Sequence, residues 1–393
     1  MRIGIFTDAY EPHLSGVTTS INMLKRALEN MHHEVYIVTA NLEENKFKYN
    51  SKNRIIHLPG IRTGIYDFRL TNIYSRKAMN VIKSWNLDII HNQTEFGVGT
   101  FATIVSKKLN IPIVHTYHTL YEDYVHYITK GHFDNFAKMI TRKFTKHVCN
   151  KYDELIVPTD KIKDLFINKY NIKRDINIIP TGIDTEKFEL NDNIKKNISK
   201  FKKKYKIKDS DFIIGAVGRI AKEKSFDKLI IAMDKLSKIN SNFKLLIVGG
   251  GPELNNLKEM VKKLNQEKNI IFTGKVEYEL IPSYYNLFNI MTSFSTSETQ
   301  GLTIIEALAA STPVVCINDD SFKEMVQNKY NGYLFKNEEE FIKRVLELKI
   351  NEELYKEMAI NAKNSIYRYS KEVFAADILK VYYKAMNKKN SKK

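Results

Sequence analysis

The stretch Ser-Glu-Thr-Gln-Gly-Leu-Thr-Ile-Ile-Glu-Ala-Leu-Ala, residues 297–309, marks the point where an apolar strand passes into a helix. Its pattern predicts a strand at Asn289–Ser295 and a helix at Leu302–Ala310, with a glycine turn between them. Glu298 then lies in the loop, and Glu306 lies one turn inside the helix among apolar residues. A buried carboxylate is unfavourable unless a partner binds it. Both acids can face a crevice at the carboxyl end of the strand, where open α/β sheets bind ligands, although a solvated helix face explains the pair equally well.

Strand-like runs alternate with helix-length segments along the whole chain of 393 residues. Most runs are rich in Ile and Val with little alternation, which is typical of parallel strands covered on both faces. The sequence therefore predicts an α/β protein with two doubly wound domains, residues 1–180 and 181–369. The predicted strands are Arg2–Thr7, Glu34–Ala40, Arg54–Leu58, Leu87–His91, Ile111–His115, Glu154–Pro158, Ile176–Pro180, Phe212–Val217, Phe243–Gly249, Asn269–Thr273, Asn289–Ser295 and Pro313–Ile317, and the predicted terminal helices are Tyr355–Tyr367 and Val373–Met386.

The composition excludes several classes of protein. Cys149 and Cys316 are the only cysteines, so neither a disulfide framework nor a cysteine-based metal site is expected. No apolar run approaches the roughly 18 residues of a membrane-spanning helix, and the first predicted strand leaves no secretory signal before the fold. We therefore expect a cytoplasmic protein that does not cross a bilayer. The formal net charge of +17 keeps a polyanionic partner open, either a membrane surface or nucleic acid.

Two cations follow a strand of the second domain. Arg219 lies just beyond Phe212–Val217, and Lys224 lies five residues further on. A guanidinium and an ammonium at such a turn suit a diphosphate, although either cation alone is also explained by surface solvation. Gly249-Gly250-Gly251-Pro252 ends the next strand, and this run fits either close approach to a ligand or a tight turn before a helix.

The first domain has two further candidates. Ser15-Gly16-Val17 opens the first predicted helix, and backbone N–H groups at a helix N-terminus can bind an anion. His118 ends the strand that begins at Ile111, where it either faces the same crevice or is structural. Other familiar sites are not matched: Gly249–Gly251 lacks the third glycine of a dinucleotide fingerprint, and Asp209-Ser210-Asp211 precedes its strand instead of following it.

In combination, Gly16, His118, Arg219 with Lys224, and the pair Glu298 and Glu306 resemble the retaining nucleotide-sugar glycosyltransferases of family four, which have the GT-B fold. The resemblance covers nearly the whole chain. It implies two Rossmann-like domains facing a cleft, with residues 370–393 crossing back onto the first domain.

The resemblance also implies roles for individual side chains. Arg219 and Lys224 would hold the donor diphosphate, and Glu298 would contact the donor sugar hydroxyls. Glu306 would accept both ribose hydroxyls, which explains an acid among apolar neighbours. His118 would border the sugar, so Glu298, His118, Arg219 and Lys224 are the expected catalytic residues. No bound cofactor and no metal site is expected, and Mg²⁺ is left open as a stimulating ion.

Backbone groups complete the predicted donor site. Gln300 and Gly301 would present main-chain N–H groups beside the sugar, and the amides of Leu302 and Thr303 would meet the phosphate at the helix N-terminus. Gly16 would approach the donor by its backbone. The implied donor is UDP-glucose, and the sequence does not distinguish it from UDP-galactose.

Residues 115–128 are similar to a segment of the bacterial 1,2-diacylglycerol 3-glucosyltransferases of this family. This narrower resemblance implies an acceptor site at Tyr121 and Tyr124, although core packing also explains such aromatic residues. It further implies α-retaining transfer of glucose to the 3-hydroxyl of 1,2-diacylglycerol at the cytoplasmic face of the membrane. A glycosylated lipid, a polyprenyl-linked glycan and a soluble glycan are alternative acceptors. A UDP-sugar epimerase and a nucleic-acid-binding module are alternatives of another class.

A basic segment supports a membrane partner independently. Arg69–Trp85 is predicted as one amphipathic helix, which either lies on anionic lipid or packs on the sheet. Asn135–Lys151 has the same character. The expected partners are anionic lipids, diacylglycerol and a nucleotide sugar; nucleic acid is not expected, and no protein partner can be inferred. The predicted membrane contacts of the first helix are Arg69, Ile73, Arg76, Lys77 and Trp85.

Overall fold

The computed structural model describes residues 1–11, 16–62, 69–120, 122 and 134–391. Contacts within the chain define two compact units. Unit 1 consists of Met1–Gly182 with Lys371–Lys393, and unit 2 consists of Ile183–Ser370. Each unit is built around a mainly parallel sheet with helices on both faces.

Unit 1 contains a mainly parallel sheet and a separate hairpin. Its strands are β1 (Arg2–Thr7), β2 (Glu34–Ala40), β3 (Lys48–Asn50), β4 (Ile55–Leu58), β5 (Gly60–Arg62), β6 (Arg69–Thr71), β7 (Ile89–Asn92), β8 (Ile113–Thr116), β9 (Glu154–Val157) and β10 (Asn177–Ile178). The sheet order is β10-β9-β8-β7-β1-β2-β4-β3, and among the described strands of this sheet β3 alone is antiparallel to its neighbour. In the separate hairpin, β5 pairs with β6, also antiparallel. The helices are α1 (Gly16–Asn30), α2 (Arg76–Trp85), α3 (Gly97–Leu109), α4 (Asp134–Cys149) and α5 (Asp160–Asp164), which continues as a π-helical turn at Leu165–Lys169.

Unit 2 has a fully parallel sheet. Its strands are β11 (Phe212–Val217), β12 (Phe243–Val248), β13 (Ile270–Gly274), β14 (Ile290–Ser293), β15 (Val314–Ile317) and β16 (Gly332–Phe335), in the order β13-β12-β11-β14-β15-β16. This is the doubly wound order in which ligands bind where the strand order reverses, here between β11 and β14. The helices are α6 (Asp192–Tyr205), α7 (Phe226–Ile239), α8 (Leu254–Lys263), α9 (Ile281–Tyr285), α10 (Leu302–Ala309), α11 (Asp320–Lys323), α12 (Glu338–Ile350) and α13 (Glu352–Asn364), with single 3₁₀ turns at Thr185–Phe188, Lys222–Lys224, Tyr278–Leu280 and Tyr367–Tyr369.

The buried strands explain why the sequence shows little alternation. In β12, Leu245 and Ile247 pack into the core beneath α7, whereas Leu246 and Val248 pack into the core on the other face. Successive side chains of a strand point to opposite faces, and both faces are apolar here because helices cover them.

The last helix of the chain, α14 (Lys371–Asn390), belongs to unit 1. Phe374, Ile378 and Tyr382 are buried in the same core as Ile21 and Leu24 of α1. The prediction that the C-terminal helix returns to the first domain is therefore confirmed.

The predicted helix Arg69–Trp85 is wrong in its first half. Arg69–Thr71 forms β6, and α2 begins only at Arg76. The hydroxyl of Ser75 accepts a hydrogen bond from the amide of Ala78 at 3.3 Å, which caps the helix at this point.

The apolar stripe of α2 faces the protein interior. Ala78, Ile82 and Trp85 are buried, and the Trp85 ring lies 4.8 Å from the ring of Tyr36. The assignment of Trp85 to a membrane surface is therefore wrong, because the same spacing packs α2 on the sheet. Ile73, Arg76 and Lys77 are exposed.

Candidate active site

The two predicted cations of unit 2 lie at the carboxyl end of β11. Arg219 donates to the Glu223 carboxylate at 2.5 Å, and Lys224 donates to the Glu298 carboxylate at 2.5 Å. The second pair joins the loop after β11 to the loop after β14, the two strands between which the sheet order reverses. The structure therefore brings Lys224 and Glu298 together at the edge where a doubly wound sheet binds its ligand.

Both ion pairs are partly shielded from solvent. The side chain of Glu298 is 19% exposed and that of Lys224 is 23% exposed. A charge-assisted contact in such a place holds the ammonium in a fixed position, where it can serve a second anion. Arg219 is more accessible and lies one turn before its partner Glu223.

The N-terminus of α10 follows directly. Gly301 caps this helix with φ 86°, and a Cβ atom there would lie 2.5 Å from the ring of Phe322. Glycine is therefore required both by the left-handed backbone and by the space. The amides of Leu302 and Thr303 are the first two of the helix, so they point along its axis toward the positive end of the helix dipole. Gln300 is buried beside them.

Glu306 lies in the second turn of α10 and is buried. The Tyr285 hydroxyl donates a hydrogen bond to its carboxyl at 2.7 Å. Burial raises the pKa of Glu306 to about 7, although the bond from Tyr285 acts in the opposite direction. An acid held close to its ionisation point can accept two hydroxyl donors once it is deprotonated.

The glycine run at the end of β12 has a structural role. A Cβ atom at Gly249 would lie 1.9 Å from the carbonyl oxygen of Gly218, and one at Gly251 would lie 2.1 Å from the carbonyl oxygen of Ile220. These glycines let the loops after β11 and β12 pack against each other. The run is therefore explained by packing of the chain on itself, as at a tight turn, without a ligand.

A chain of hydrogen bonds leads to His118 in unit 1. His118 Nε2 donates to the side-chain oxygen of Gln93, and Gln93 Nε2 donates to His91 Nε2 at 3.0 Å. Thr116 donates to the same His91 nitrogen at 2.7 Å, and His91 Nδ1 donates to the Tyr382 hydroxyl of α14 at 2.7 Å. The chain thus runs from the loop after β8, through β7, to the last helix.

These contacts determine which nitrogen carries each proton. Gln93 offers an oxygen to His118 and an N–H to His91, so His118 has its proton on Nε2 and His91 has its proton on Nδ1. Burial lowers the pKa of His118 to about 3, with His115 adding to the effect. Burial also lowers the pKa of His91 well below its usual value. Both rings are therefore neutral at physiological pH, and Nδ1 of His118 is a hydrogen-bond acceptor.

Sequence reasoning missed Asp8 and Gln93. Asp8 directly follows β1; it accepts hydrogen bonds from Thr94 and from the amide of Val98, and burial raises its pKa to about 6. Gln93 directly follows β7. Both lie where the order of the first sheet reverses, between β1 and β7. Their position just after a strand end was the one signal that could have found them.

The remaining predicted residues are only partly placed. Gly16 is the first residue of α1. Tyr121 and Tyr124 lie outside the described residues, and so does the side chain of Arg69. Within the described part of the chain, no group of three or more His, Cys, Asp or Glu side chains could hold a metal ion.

Comparisons with known proteins agree with this arrangement. Residues 14–187 match the family model described as Glycosyltransferase Family 4, and residues 197–365 match the model described as Glycosyl transferases group 1. The chain is 35% identical to the alpha-monoglucosyldiacylglycerol synthase of Acholeplasma laidlawii, with 100% of this chain and 99% of the relative aligned. It is also 35% identical to the synthase of the same name from Streptococcus pneumoniae, over 100% of this chain and 88% of the relative.

Solved structures support the fold. HepE of Anabaena, solved in complex with UDP-glucose, has a TM-score of 0.75 at 16% identity, covering 98% of this chain and 100% of that chain. WaaG, a glycosyltransferase of lipopolysaccharide biosynthesis, has a TM-score of 0.69 at 17% identity and covers 96% of this chain and 99% of that chain. The two parallel sheets, the paired loops of unit 2 and the full-length relatives place the chain in glycosyltransferase family four, with the GT-B fold.

Proposed function

We propose that this protein transfers glucose from UDP-glucose to the 3-hydroxyl of 1,2-diacylglycerol, with retention of the α configuration. Unit 2 binds the nucleotide sugar and unit 1 receives the acceptor at the membrane surface. The observation that carries the donor half is the Lys224–Glu298 pair at the reversal point of the second sheet.

The pair suits a sugar diphosphate because it offers both signs of charge at one place. The ammonium of Lys224 and the guanidinium of Arg219 bind the diphosphate, while the carboxylate of Glu298 accepts hydrogen bonds from the sugar hydroxyls. The two ribose hydroxyls donate to Glu306, and this contact favours the charged form of its carboxylate.

Departure of UDP is the demanding step. As the bond from the anomeric carbon to the phosphate oxygen breaks, negative charge develops on the diphosphate. Lys224, Arg219 and the amides of Leu302 and Thr303 stabilise that charge, and each well-placed group of this kind is typically worth about 10²–10³ in rate. The acceptor oxygen bonds to the same face of the sugar and gives its proton to the departing phosphate, so the configuration is kept.

The acceptor half rests on the relatives. Both synthases named above are similar to this chain along its whole length, which includes the acceptor-side unit. The hydroxyl of the diacylglycerol is uncharged, and an uncharged imidazole such as that of His118 in unit 1 can accept a hydrogen bond from it.

The test uses the full chain, detergent-dispersed diacylglycerol and UDP-glucose labelled in the sugar. We expect an organic-soluble product whose anomeric proton has the coupling constant of an α-glucoside. A labelled soluble sugar without labelled lipid would overturn the acceptor assignment and keep the donor site. Formation of an epimer of the donor sugar in the absence of any acceptor would instead support an epimerase.

A panel of UDP-glucose and UDP-galactose against diacylglycerol and monoglucosyldiacylglycerol refines the result. The proposal expects the highest kcat/KM for UDP-glucose with diacylglycerol. Preference for the glycosylated lipid would move the enzyme one step later, to the class of reaction that consumes a monoglycosylated lipid.

A further inference from the structure

The hydroxyl of Tyr382 is a polar group in an apolar core. Tyr382 lies on α14, is fully buried, and packs with Phe374 and Ile378 in the core of unit 1. Within the part of the chain that the structure describes, its hydroxyl makes one hydrogen bond, 2.7 Å long, with Nδ1 of His91. A buried hydroxyl is unfavourable without such a partner. The bond to His91 is therefore what distinguishes tyrosine from phenylalanine at this position.

Contacts on either side of Tyr382 in the sequence hold α14 against the sheet of unit 1. Phe374 and Ile378 pack into the core before it, and after it Lys384 and Lys388 bind the buried Glu154 carboxylate of β9 at 3.0 and 3.2 Å. No helix among the described residues, this one of 20 residues included, is both long and apolar enough to cross a membrane. The position of the Tyr382 hydroxyl against β7 is therefore fixed.

This hydroxyl determines which nitrogen of His91 carries the proton. Burial lowers the pKa of His91 well below its usual value, so the ring is neutral and has one N–H. Gln93 Nε2 is a donor 3.0 Å from His91 Nε2, which leaves the proton on Nδ1, facing Tyr382. Without the oxygen of Tyr382 this buried N–H would have no acceptor, and an unsatisfied buried donor is costly. The proton would then be more stable on Nε2, where Thr116 Oγ1 lies 2.7 Å away.

The side chain of Gln93 passes the position of that proton on to His118. An amide has an acceptor oxygen at one end and a donor nitrogen at the other, so a proton on His91 Nε2 would turn the oxygen of Gln93 toward His91. The amide nitrogen would then face Nε2 of His118, and the proton of His118 would be on Nδ1. In the structure the oxygen of Gln93 faces His118, so Nδ1 of His118 is the acceptor.

We propose that Tyr382 is a positioning residue for glucose transfer. Its hydroxyl keeps Nδ1 of His118 as the nitrogen that accepts a hydrogen bond from a substrate hydroxyl, and it acts through the two side chains between them. The inference rests on the proposed function, because it gives the last helix of unit 1 a task in the transfer step.

The first test compares Tyr382→Phe in the full chain with two control variants. Tyr383→Phe changes the next tyrosine of the same helix, which is 52% exposed, and Phe374→Leu weakens the packing of α14 without removing a hydrogen bond. Tyr382→Phe should lower kcat about tenfold, the worth of one hydrogen bond. The KM for UDP-glucose should not change, because the donor contacts lie in unit 2, and both controls should keep the wild-type kcat. A wild-type kcat for Tyr382→Phe, or an equal loss for Phe374→Leu, would overturn the proposal.

The second test locates the ring protons by nuclear magnetic resonance. The 10 histidines are labelled with ¹⁵N, and the signals of His91 and His118 are identified from variants that lack each residue. His118 should be protonated at Nε2 in the wild type and in both controls, and at Nδ1 in Tyr382→Phe. The same protonated nitrogen in Tyr382→Phe and the wild type would reject the proposal, whatever the kinetic result.

A double variant distinguishes action through Gln93 from a separate effect. Gln93→Leu already interrupts the chain of hydrogen bonds, so adding Tyr382→Phe to it should cause little further loss of kcat. Losses that multiply would mean that Tyr382 acts independently of Gln93, which contradicts the proposed route.

The resonance experiment needs no acceptor lipid, so it separates this inference from the proposed function. Absence of transfer by the wild type to any diacylglycerol would reject the proposed function. The ring signals would still decide whether Tyr382 determines the position of the proton on His118.

Discussion

The carboxyl edges of the two sheets occupy equivalent places in the topology but differ in charge. Between β11 and β14 in unit 2, Arg219 and Lys224 pair with carboxylates at 2.5 Å. Between β1 and β7 in unit 1, the side chains near His118 are joined through an amide, and burial keeps the His118 ring neutral by lowering its pKa to about 3.

From this difference we infer that the two sheet edges suit two kinds of ligand. The sheet determines where a ligand can bind, and the loops after its strands determine which ligand it is. Under the proposed function, the diphosphate would contact the fixed positive charge of unit 2. A hydroxyl would instead meet directed, uncharged partners in unit 1, because an unpaired buried charge would be strongly unfavourable.

The largest expected effect follows from removing charge in unit 2. Lys224→Ala should lower kcat by about 10²–10³, since it removes a group that stabilises the leaving diphosphate. Arg219→Ala should act in the same direction. Single-turnover kinetics with saturating UDP-glucose would separate this loss from weaker binding.

Lys222→Ala is the matched control for Lys224→Ala. Lys222 belongs to the same 3₁₀ turn but is exposed. A wild-type rate for Lys224→Ala, or an equal loss for Lys222→Ala, would contradict the role of Lys224 in stabilising the leaving diphosphate.

The next largest loss of activity is expected from placing a charge beside His118, at the carboxyl edge of the sheet in unit 1. Gln93→Glu puts a carboxylate beside His118, which favours the imidazolium and raises the pKa of His118. A neighbouring opposite charge typically shifts a pKa by about 1–3 units, so the ring of the variant becomes charged as the pH falls below about 6. The pH profile of kcat, measured at saturating substrate, should therefore gain an acid limb below about pH 6 that the wild type lacks.

Gln93→Leu distinguishes charge from positioning. It removes the acceptor for His118 Nε2 without adding a charge, so the rate should fall without the new limb. An identical pH profile for Gln93→Glu and the wild type would show that the neutral state of His118 has no part in turnover.

Much of the fold follows from the sequence, for a physical reason. Strands covered on both faces leave continuous apolar runs, so β11, β12 and β14 are predicted close to their observed bounds. Strand β16 was missed because Gly332–Phe335 is short and follows a polar turn. Gln93 was missed because its role depends on His118, a partner that lies on a different segment of the chain.

A smaller effect is expected from the ionisation of Glu306, because burial raises the pKa of its carboxyl to about 7. The charged form must accept the ribose hydroxyls, so binding releases a proton when the pH is below that pKa. Uridine should therefore bind up to about tenfold more tightly at about pH 8 than at about pH 6. Uridine is preferred to UDP because a terminal phosphate itself titrates near pH 6.

Calorimetry in buffers of different ionisation enthalpy measures both the affinity and the released proton. Glu306→Gln should bind uridine more weakly and without this pH dependence. Tyr285→Phe should move the midpoint upward, because it removes a hydrogen bond that favours the carboxylate. A flat profile for the wild type would reject the role of Glu306.

Helices α2 and α4 mark a limit of sequence reasoning. Both combine an apolar stripe with basic residues, and the spacing indicates which residues share a face. It does not indicate whether that face points inward. In α2, Ile82 and Trp85 are buried, whereas in α4, Phe136 and Ile140 are exposed. Tertiary packing determines which face points inward. The local signal that the sequence does contain is Ser75, whose capping bond shows where α2 begins.

The smallest effect on activity is expected from cations that lie far in sequence from Arg219 and Lys224. Arg76, Lys77 and Lys83 lie on the exposed side of α2. Their replacement by Ser should weaken partition onto anionic vesicles at low ionic strength, with the difference disappearing at high salt, because exposed charges are screened. Hydrolysis of UDP-glucose without acceptor should stay within about twofold of wild type, since such surface charges contribute little beyond a Debye length.

A loss of donor hydrolysis comparable to that of Lys224→Ala would mean that general positive charge, and not the placed pair at the edge of unit 2, stabilises the diphosphate. Unchanged partition at low salt would leave α2 with a packing role alone.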